Sequence, residues 1–272
     1  MAKYLKKQQE EGRSIGWVPT MGALHQGHLS LLDQARREGN LTICSIFVNP
    51  TQFNVAADFE KYPITIEKDI LMLEENGADI LFLPAVKEIY PEGTVNLEKY
   101  PLGSLETILE GAFRPGHFQG VCQVMSRLSH MVGADHLYMG EKDYQQCMVI
   151  KKLLEIIQSP TRLHTCPTQR EADGLAMSSR NMRLTTTERT NAVGIYKILT
   201  ELKTKFHPGN LDQFLVSAND SLRQFDFRVD YIAIADASTL MPMTHWDGSQ
   251  KAVALIAAFQ HEVRLIDNML MN

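Results

Sequence analysis

The sequence predicts an α/β protein in which a parallel sheet with crossover helices precedes a smaller α+β domain. Up to Pro167, apolar or β-branched runs alternate with helical patterns at the spacing of strand–helix–strand units. After Pro167, strand-like runs follow one another without long crossovers. We therefore expect two domains, at residues 1–167 and 168–272.

The first strand and the first long helix flank a loop that is rich in glycine and histidine. Residues 15–18 form a short apolar run, and the apolar residues of 28–38 recur on one helical face before Gly39 ends the pattern. Between them, residues 21–28 read Met-Gly-Ala-Leu-His-Gln-Gly-His. We call this segment the His loop.

The His loop has the spacing of a phosphate-binding loop without its usual cation. Gly22 and Gly27 match G-x-x-x-x-G, but His28 and Leu29 stand where a Walker loop has Lys and Ser or Thr. A bound ATP would therefore be held by main-chain N–H groups at the helix start and by His28. His25 and His28 could instead be metal ligands or ordinary loop residues.

The later elements are predicted in the same way, from hydrophobic periodicity and from residues that begin or end helices and strands. Strands are predicted at 41–48, 79–83 and 134–139, and helices at 66–76 and 121–132. A further helix is predicted to open within residues 140–146 and to run up to Pro160. In the second domain, Thr185 and Glu188 form a capping box for a helix to about residue 206, and Asn210 caps another to residue 225. Three strands are expected at 229–235, 253–259 and 263–266.

Three polar loops follow the carboxyl ends of predicted parallel strands, which share one edge of a sheet where ligands bind. Glycine, proline and polar residues are common in any loop, so a single one of these loops could have no function. Asp143 could be only a favourable charge at the start of a helix. Together they carry His25, His28, Asn49, Gln52, Lys142, Asp143 and Gln146. Residues 170–181 add hydroxyls and guanidinium groups, which suit either a lid over phosphates or a surface linker.

Composition excludes several classes of partner. The 272-residue chain has 27 Lys and Arg against 32 Asp and Glu, a net charge of −5, which argues against general binding to nucleic acid or anionic membranes. Its four cysteines lie far apart, so neither a zinc site nor a disulfide framework is indicated. No signal sequence or membrane-length apolar run occurs, and we expect a soluble, cytoplasmic protein.

Six motifs in order resemble those of the pantothenate synthetase (pantoate–β-alanine ligase) family. They are Pro19 to His28, Phe47 to Phe53, Phe113 to Phe118, Gly140 to Gln146, Asp173 to Asn181 and Arg264 to Asn268. The resemblance implies a Rossmann-like nucleotidyl-transfer domain with a smaller C-terminal domain, and a homodimer. It also implies that pantoate and β-alanine are joined with ATP and Mg²⁺ through pantoyl adenylate, with release of AMP and pyrophosphate.

The resemblance also implies which residues form the site. His28 would be the proton donor, acting with His25, Lys142 and Arg180, while Gln52 and Gln146 would hold pantoate. No protein ligand to the metal is implied, because Mg²⁺ would be held mainly by phosphate oxygens. The implied ATP contacts are Met21, Gly22, Ala23, Leu24, His25, Gln26, Gly27, His28, Gly140, Glu141, Lys142, Asp143, Gln169, Met177, Ser178, Ser179 and Arg180.

Three positions depart from the family pattern. Gln169 replaces a small apolar residue beside the adenine, Ile64 stands where Arg is common, and Met139 replaces a common Phe. The chain also starts late and is expected to lack the family's first strand. Two rival functions are a nucleotidylyltransferase that moves AMP onto a phosphate and a nucleotide-binding regulator without chemistry.

Overall fold

Two larger sheets of different kinds and one two-stranded sheet appear in the computed structural model, which describes residues 1–53 and 59–272. Of the two larger sheets, the first along the chain is parallel with five strands, and the second is antiparallel with three. Asn54, the last residue of the polar loop expected after residue 48, lies outside the described residues. None of the described helices has the length and apolar character that a bilayer-spanning segment needs.

The chain divides into two compact units, and each is built from more than one segment. Unit 1 comprises Met1–Glu106, Arg114–Glu141 and Gln146–Gln169. Unit 2 comprises Thr107–Phe113, Lys142–Gln145 and Arg170–Asn272. Two short segments from the first two thirds of the chain thus group with unit 2. A single cut after residue 167 stays a prediction.

The parallel sheet of unit 1 confirms the predicted α/β fold. Its strands are β1 Ile15–Thr20, β2 Leu41–Ile46, β3 Ile80–Phe82, β4 His136–Gly140 and β5 Arg162–Cys166. They lie in the order β3-β2-β1-β4-β5, and every neighbouring pair is parallel. Because the strand order reverses between β1 and β4, the carboxyl ends of these two strands flank the crevice where such sheets bind ligands.

Helices and turns of unit 1 connect these strands. The helices are α1 Ala2–Glu10, α2 Gln26–Arg37, α3 Ile66–Glu75, α4 Val86–Ile89, α6 His117–Val132 and α7 Tyr144–Ile156, whose first two residues belong to unit 2. Short 3₁₀ turns occur at Pro50–Gln52 and Gly103–Glu106. A third, Glu141–Asp143, begins in unit 1, and its last two residues belong to unit 2. Helix α6 begins at His117, earlier than the predicted residue 121, and α7 ends at Ile156, before the predicted limit at Pro160. Helices α2 and α3 lie close to their predicted bounds.

Side chains alternate between the two faces of the parallel sheet, as the period of a strand requires. Trp17 and Leu137 belong to a core cluster with residues of α6 and α7. Val18 and Tyr138, their neighbours in sequence, belong to a second cluster with residues of α2 and α3. The sheet is therefore covered on both faces, which explains why its strands are nearly continuous apolar runs.

Unit 2 is built on an antiparallel sheet with helices. Strands β7 Phe227–Asp236, β9 Ala252–Gln260 and β10 Val263–Leu270 lie in the order β10-β9-β7, and β6 Gly209–Asn210 pairs with β8 His245–Trp246. The helices are α5 Glu110–Phe113, α8 Thr186–Ala192, α9 Gly194–Lys205 and α10 Asp212–Gln224. A 3₁₀ turn spans Ser179–Arg183.

One helix prediction in unit 2 was wrong. The capping box is confirmed, with Thr185 Oγ1 accepting from Glu188 N at 3.4 Å and Glu188 Oε2 accepting from Thr185 N at 2.7 Å. The single helix expected to residue 206 is instead two, α8 and α9, which meet at Gly194. Glycine is a poor helix former, and a Cβ here would lie 2.7 Å from the Phe225 ring, so close packing explains the residue.

Candidate active site

The His loop begins directly after β1 and is held by a buried carboxylate. Asp69 on α3 is fully buried and accepts hydrogen bonds from Ala23 N at 2.9 Å, Leu24 N at 2.8 Å and Thr65 Oγ1 at 3.0 Å. Gly22 has φ +81°, and a Cβ there would come within 3.1 Å of Asp69 Oδ2. Glycine therefore permits the turn that brings the loop amides onto the carboxylate.

Sequence reasoning missed Asp69, although its partners were identified. An acidic residue in the first turn of a helix is explained by the helix dipole alone, and Glu67 occupies the same turn. The hydrogen bonds to the loop join residues more than 40 positions apart. Its burial, which the sequence does not display, is the feature that distinguishes this carboxylate from a surface one.

His25 and His28 are brought together at the start of α2. His25 is the N-cap residue, and its Nδ1 accepts from Gly27 N at 3.1 Å, while His28 Nδ1 accepts from His25 N at 3.4 Å. The rings are stacked with centroids 4.0 Å apart. Because each Nδ1 is an acceptor, the proton of each neutral ring is on Nε2. The pair therefore presents two N–H donors beside the positive end of a helix, an arrangement suited to phosphate.

Gln52 lies at the end of the Pro50–Gln52 turn after β2 and is 9% exposed. Its Nε2 donates to Met21 Sδ of the His loop at 2.9 Å, and its Oε1 accepts from Asn49 Nδ2 at 3.1 Å. The turn lies directly against α6, where a Cβ on Gly120 would be 2.3 Å from Thr51 O. Glycine at 120 is therefore required for this close approach.

Arg114 and His117, which lie within the motif Phe113 to Phe118, support Gln52. His117 Nδ1 donates to Gln52 O at 2.8 Å, which makes its Nε2 the acceptor for Arg114 Nη1 at 3.0 Å. His117 is buried. The glycine-rich loop before α6 thus fixes the main chain of a predicted substrate-binding residue. Its sequence indicated polar chemistry but not which main-chain oxygen the histidine would meet.

The remaining predicted residues of unit 1 lie at the ends of β4 and β5. Gly140 is the last residue of β4, Glu141 begins the 3₁₀ turn that follows, and Gln146 lies near the start of α7. Gln169 is exposed just beyond β5. These positions share the carboxyl edge of the sheet with the His loop, as the strand order requires.

Two of the three unusual positions differ in burial. Met139 is 7% exposed within β4, where a flexible thioether fills space in the core. Ile64 is 74% exposed. The first substitution therefore concerns packing under the site, whereas the second places an apolar side chain in solvent.

The four cysteines, at 44, 122, 147 and 166, are buried and none of them forms a disulfide. Burial raises the pKa of Cys44 to about 12 and that of Cys166, at the end of β5, to about 11. Both are therefore neutral thiols at physiological pH, and a thiolate is the nucleophilic form. Neither cysteine is suited to covalent catalysis.

Unit 2 carries the other predicted residues on two segments. Lys142 O accepts from Asn268 Nδ2 at 2.9 Å, and Lys142 Nζ lies 4.0 Å from Asp143 Oδ1. On the second segment Ser178 caps the Ser179–Arg183 turn, with its Oγ accepting from Arg180 N at 3.3 Å. Met177 precedes this cap.

Residues 170–180, the arginine turn, are tied into unit 2 rather than open. Arg170 makes two hydrogen bonds to the Asp267 carboxylate, at 2.6 and 3.1 Å, and Arg189 makes two to Asp173, at 2.8 and 3.1 Å. Arg170 also pairs with Ala176 in an isolated β-bridge. Closure of this segment over phosphates stays a prediction.

A family model described as Pantoate-beta-alanine ligase matches residues 1–270. The chain belongs to the pantoate-beta-alanine ligase family. The pantothenate synthetase of Cytophaga hutchinsonii is 43% identical, over 98% of this chain and 94% of the relative. That of Porphyromonas gingivalis strain W83 is 42% identical, over 99% and 95%. The family resemblance of the six motifs is thus confirmed.

Solved structures of the same family confirm the fold. The crystal structure of pantothenate synthetase from Thermus thermophilus has a TM-score of 0.88 at 40% identity and covers 98% of this chain and 97% of that one. The Francisella tularensis pantoate-beta-alanine ligase, complexed with beta-gamma ATP and beta-alanine, gives 0.82 at 38% identity, with 99% and 95% covered. The Rossmann-like sheet with a smaller antiparallel part is therefore the architecture of this family.

Within each unit, the pantoate-beta-alanine ligase fold brings together part of the predicted site. In unit 1, Met21 contacts Gln52, and His25 contacts His28. In unit 2, Lys142 lies beside Asp143. The roles of these residues in ligand binding stay predictions.

Proposed function

We propose that the chain joins pantoate to β-alanine with ATP, through pantoyl adenylate, using the residues grouped above. The reaction is that of its family, an AMP-forming ligation. The observation that carries the residue assignment is the His25–His28 pair at the start of α2, in which each Nδ1 accepts from a main-chain N–H. It lies at the carboxyl edge of a parallel sheet, where nucleotides bind.

In the first step, a pantoate carboxylate oxygen attacks the α-phosphorus of ATP. The bond from that phosphorus to the bridging oxygen breaks, and pyrophosphate leaves. Negative charge gathers on the transferring group, so donors fixed before the reaction stabilise it most. We assign this role to His28 Nε2 with Lys142 and Arg180, supported by the hydroxyls of Ser178 and Ser179.

In the second step, the amine of β-alanine attacks the acyl carbon of the adenylate. The bond from that carbon to the phosphate oxygen breaks, AMP leaves, and the amine loses a proton.

The remaining proposed ATP contacts are Met21, Gly22, Ala23, Leu24, His25, Gln26, Gly27, Gly140, Glu141, Asp143, Gln169 and Met177. No covalent enzyme intermediate is needed, which agrees with the neutral cysteine thiols.

Gln52 and Gln146 are proposed to bind pantoate. Carboxamides can both donate and accept, which suits hydroxyl and carboxylate groups without a full positive charge that would stabilise the ground state as much as the transition state. Gln52 has its main chain held by His117 and its side chain oriented by Asn49 and Met21. Such support is what a binding residue needs to keep one geometry.

Mg²⁺ is proposed to enter with ATP. The groups at the start of α2 are imidazoles and main-chain amides, whereas Mg²⁺ takes oxygen ligands and commonly those of substrate phosphates. The His loop therefore does not fit a protein-made Mg²⁺ site. We assign the ion to phosphate oxygens and water, and no protein ligand to it.

The homodimer and the cytoplasmic location remain predictions. Light scattering after size exclusion would measure the mass of the assembly against the 30.7 kDa chain. Fractionation of cells with an antibody to the chain would test its location.

Pyrophosphate exchange tests the proposed function directly. Labelled pyrophosphate should enter ATP when pantoate and Mg²⁺ are present and β-alanine is absent. Exchange that requires a phosphorylated acceptor would indicate the rival nucleotidylyltransferase, and bound but unconsumed ATP would indicate a regulator. Gln52→Ala should suppress exchange while ATP binding, measured by calorimetry, survives. Equal exchange in this variant would remove Gln52 from pantoate binding.

A further inference from the structure

Two consecutive residues of β10 contact the two segments of unit 2 that carry proposed site residues. Asn268 Nδ2 donates to Lys142 O at 2.9 Å, across 126 positions of sequence. The Asp267 carboxylate accepts twice from Arg170, across 97 positions. Strand β10 is at the edge of its sheet, since β9 pairs with it on one side and the order ends there. Its other side is therefore available to these segments.

Asp267 is a buried charge whose partner is fixed. It is 5% exposed, and the Arg170 side chain is 20% exposed. Burial raises the pKa of the Asp267 carboxyl, and the hydrogen bonds and charge of Arg170 oppose that rise. The carboxylate also accepts from Asn268 N at 2.8 Å. Loss of one partner would leave the other charge buried and uncompensated, so the pair strongly constrains where Arg170 lies.

Arg170 transmits this constraint to the rest of the arginine turn. Its Nη1 donates to Gly174 O at 3.1 Å, and its guanidinium lies 4.7 Å from the centre of the Tyr196 ring. Gly174 has φ +94°, and a Cβ there would lie 2.0 Å from the same ring. Gly174 is therefore packed against Tyr196 and held by Arg170. Both contacts lie in the first half of the arginine turn, which ends at Arg180.

Asn268 acts on Lys142 through the main chain. The acceptor is the carbonyl oxygen of Lys142, so the bond orients its peptide while the ammonium keeps its charge. The Lys142 side chain is 15% exposed, which limits the positions open to it once the peptide is fixed. A neutral amide at 268 therefore orients the peptide from which the Lys142 side chain extends, and it adds no charge of its own.

We infer that Asp267 and Asn268 are positioning residues for adenylate formation, Asn268 acting through Lys142 and Asp267 acting through Arg170 on the segment that ends in Arg180. The inference rests on the proposed function of Lys142 and Arg180. Misplacing a positioned group by about 1 Å can cost on the order of 10²-fold in rate. Adjacent residues of one strand thus align two separate groups of donors.

Double-mutant cycles on pyrophosphate exchange test the inference. The first uses Asn268→Ala and Lys142→Ala, and the second uses Asp267→Asn, which keeps the side-chain shape, with Arg180→Ala. The matched control is Gln260→Ala, which removes the bond from another buried carboxamide of the same sheet to a main-chain oxygen, Gln260 Nε2 to Phe225 O at 2.6 Å. Melting temperatures are measured for all variants.

We expect Asn268→Ala to slow exchange at saturating ATP by about 10-fold to 100-fold. In the Lys142→Ala background it should slow exchange less than about 2-fold, because partners in one chain of contacts are not additive. Asp267→Asn should behave in the same way towards Arg180→Ala. Gln260→Ala should lower the melting temperature and leave the exchange rate unchanged.

Three results would overturn the inference. Equal fold-losses from Asn268→Ala with and without Lys142, or the corresponding additivity for Asp267 and Arg180, would mean that β10 acts elsewhere. A loss of exchange in Gln260→Ala as large as that in Asn268→Ala would mean a merely structural role. Full exchange in both Lys142→Ala and Arg180→Ala would refute the assigned roles of the cations and the inference with them, an outcome distinct from additivity.

Discussion

The His loop of unit 1 and the arginine turn of unit 2 are both proposed to contact phosphates, yet they are held in different ways. The His loop is bound to the Asp69 carboxylate by neutral main-chain amides. The arginine turn is bound by ion pairs, Arg170 to Asp267 and Arg189 to Asp173. Each arrangement fixes the position of hydrogen-bond donors. The His loop is fixed without side-chain cations, whereas the arginine turn is fixed by two of them.

This difference predicts how each region responds to its surroundings. Hydrogen bonds from main-chain amides to a fully buried carboxylate are little affected by salt, because no exposed charge pair is screened. The Arg189–Asp173 pair has side chains 34% and 45% exposed and is therefore open to screening and to titration. We expect the His loop to keep its geometry over a wide range of conditions and the outer part of the arginine turn to be the more sensitive.

The largest expected effect is that of His28→Ala. Loss of one positioned donor to developing charge costs about 10²–10³ in rate, so pyrophosphate exchange should fall by that factor. The melting temperature should change little, since His28 is half-buried and its bond to the loop main chain is long, at 3.4 Å. His130→Ala, which alters an exposed histidine of α6, is the control. Normal exchange in a folded His28→Ala protein would remove this residue from the mechanism.

A smaller effect on rate, with a larger one on stability, is expected for Asp69→Asn. The amide keeps the shape but can accept from only one of Ala23 N and Leu24 N with its oxygen. A buried donor left without a partner costs about 1–3 kcal/mol, which urea unfolding would measure. Exchange should fall by about 10-fold as the loop shifts.

Glu67→Gln is the matched control for that variant, because Glu67 is an exposed acid in the same helical turn. It should leave stability and exchange unchanged. If Asp69→Asn had the stability of the unaltered protein, the carboxylate would not be the anchor of the His loop.

The smallest effect is expected for Arg189→Ala. A surface ion pair contributes about 0.2–1 kcal/mol, and exchange should be nearly unchanged. The hydrogen bonds from Arg189 hold the pKa of Asp173 below its ordinary 3.8. A lowered pKa means that the pair stabilises the fold above the ordinary value and that this contribution is lost as the pH falls through the lowered one. The stability difference between variant and unaltered protein should therefore shrink on acidification, and a constant difference would contradict the pairing.

Neighbouring residues in the sequence predicted the His loop. They did not predict which carboxylates bind the His loop and the arginine turn. A strand, two glycines and a helix start lie within residues 15–38, so His25 and His28 could be placed from neighbouring residues alone. Asp69, and the Asp267 partner of Arg170, come from distant parts of the chain. Which carboxylate meets which donor depends on packing, and a single sequence does not encode that pairing in any periodicity.

The same limit explains the other differences. His117 lies within the motif Phe113 to Phe118, but its acceptor, Gln52 O, is 65 positions away. Gly194, at the break between α8 and α9, packs against the Phe225 ring, which comes from beyond the end of α10. By contrast, the capping box at Thr185 was predicted correctly because both of its partners lie within one helical turn.

The route of one oxygen atom tests the proposed chemistry most directly. Pantoate labelled with oxygen-18 in its carboxylate would be converted with ATP, Mg²⁺ and β-alanine, and the nucleotide product analysed by mass spectrometry. Because the carboxylate oxygen that attacks the α-phosphorus stays with phosphorus when the amine displaces AMP, we expect one labelled oxygen in AMP. Unlabelled AMP, or label in inorganic phosphate together with ADP, would contradict an adenylate formed at the His loop.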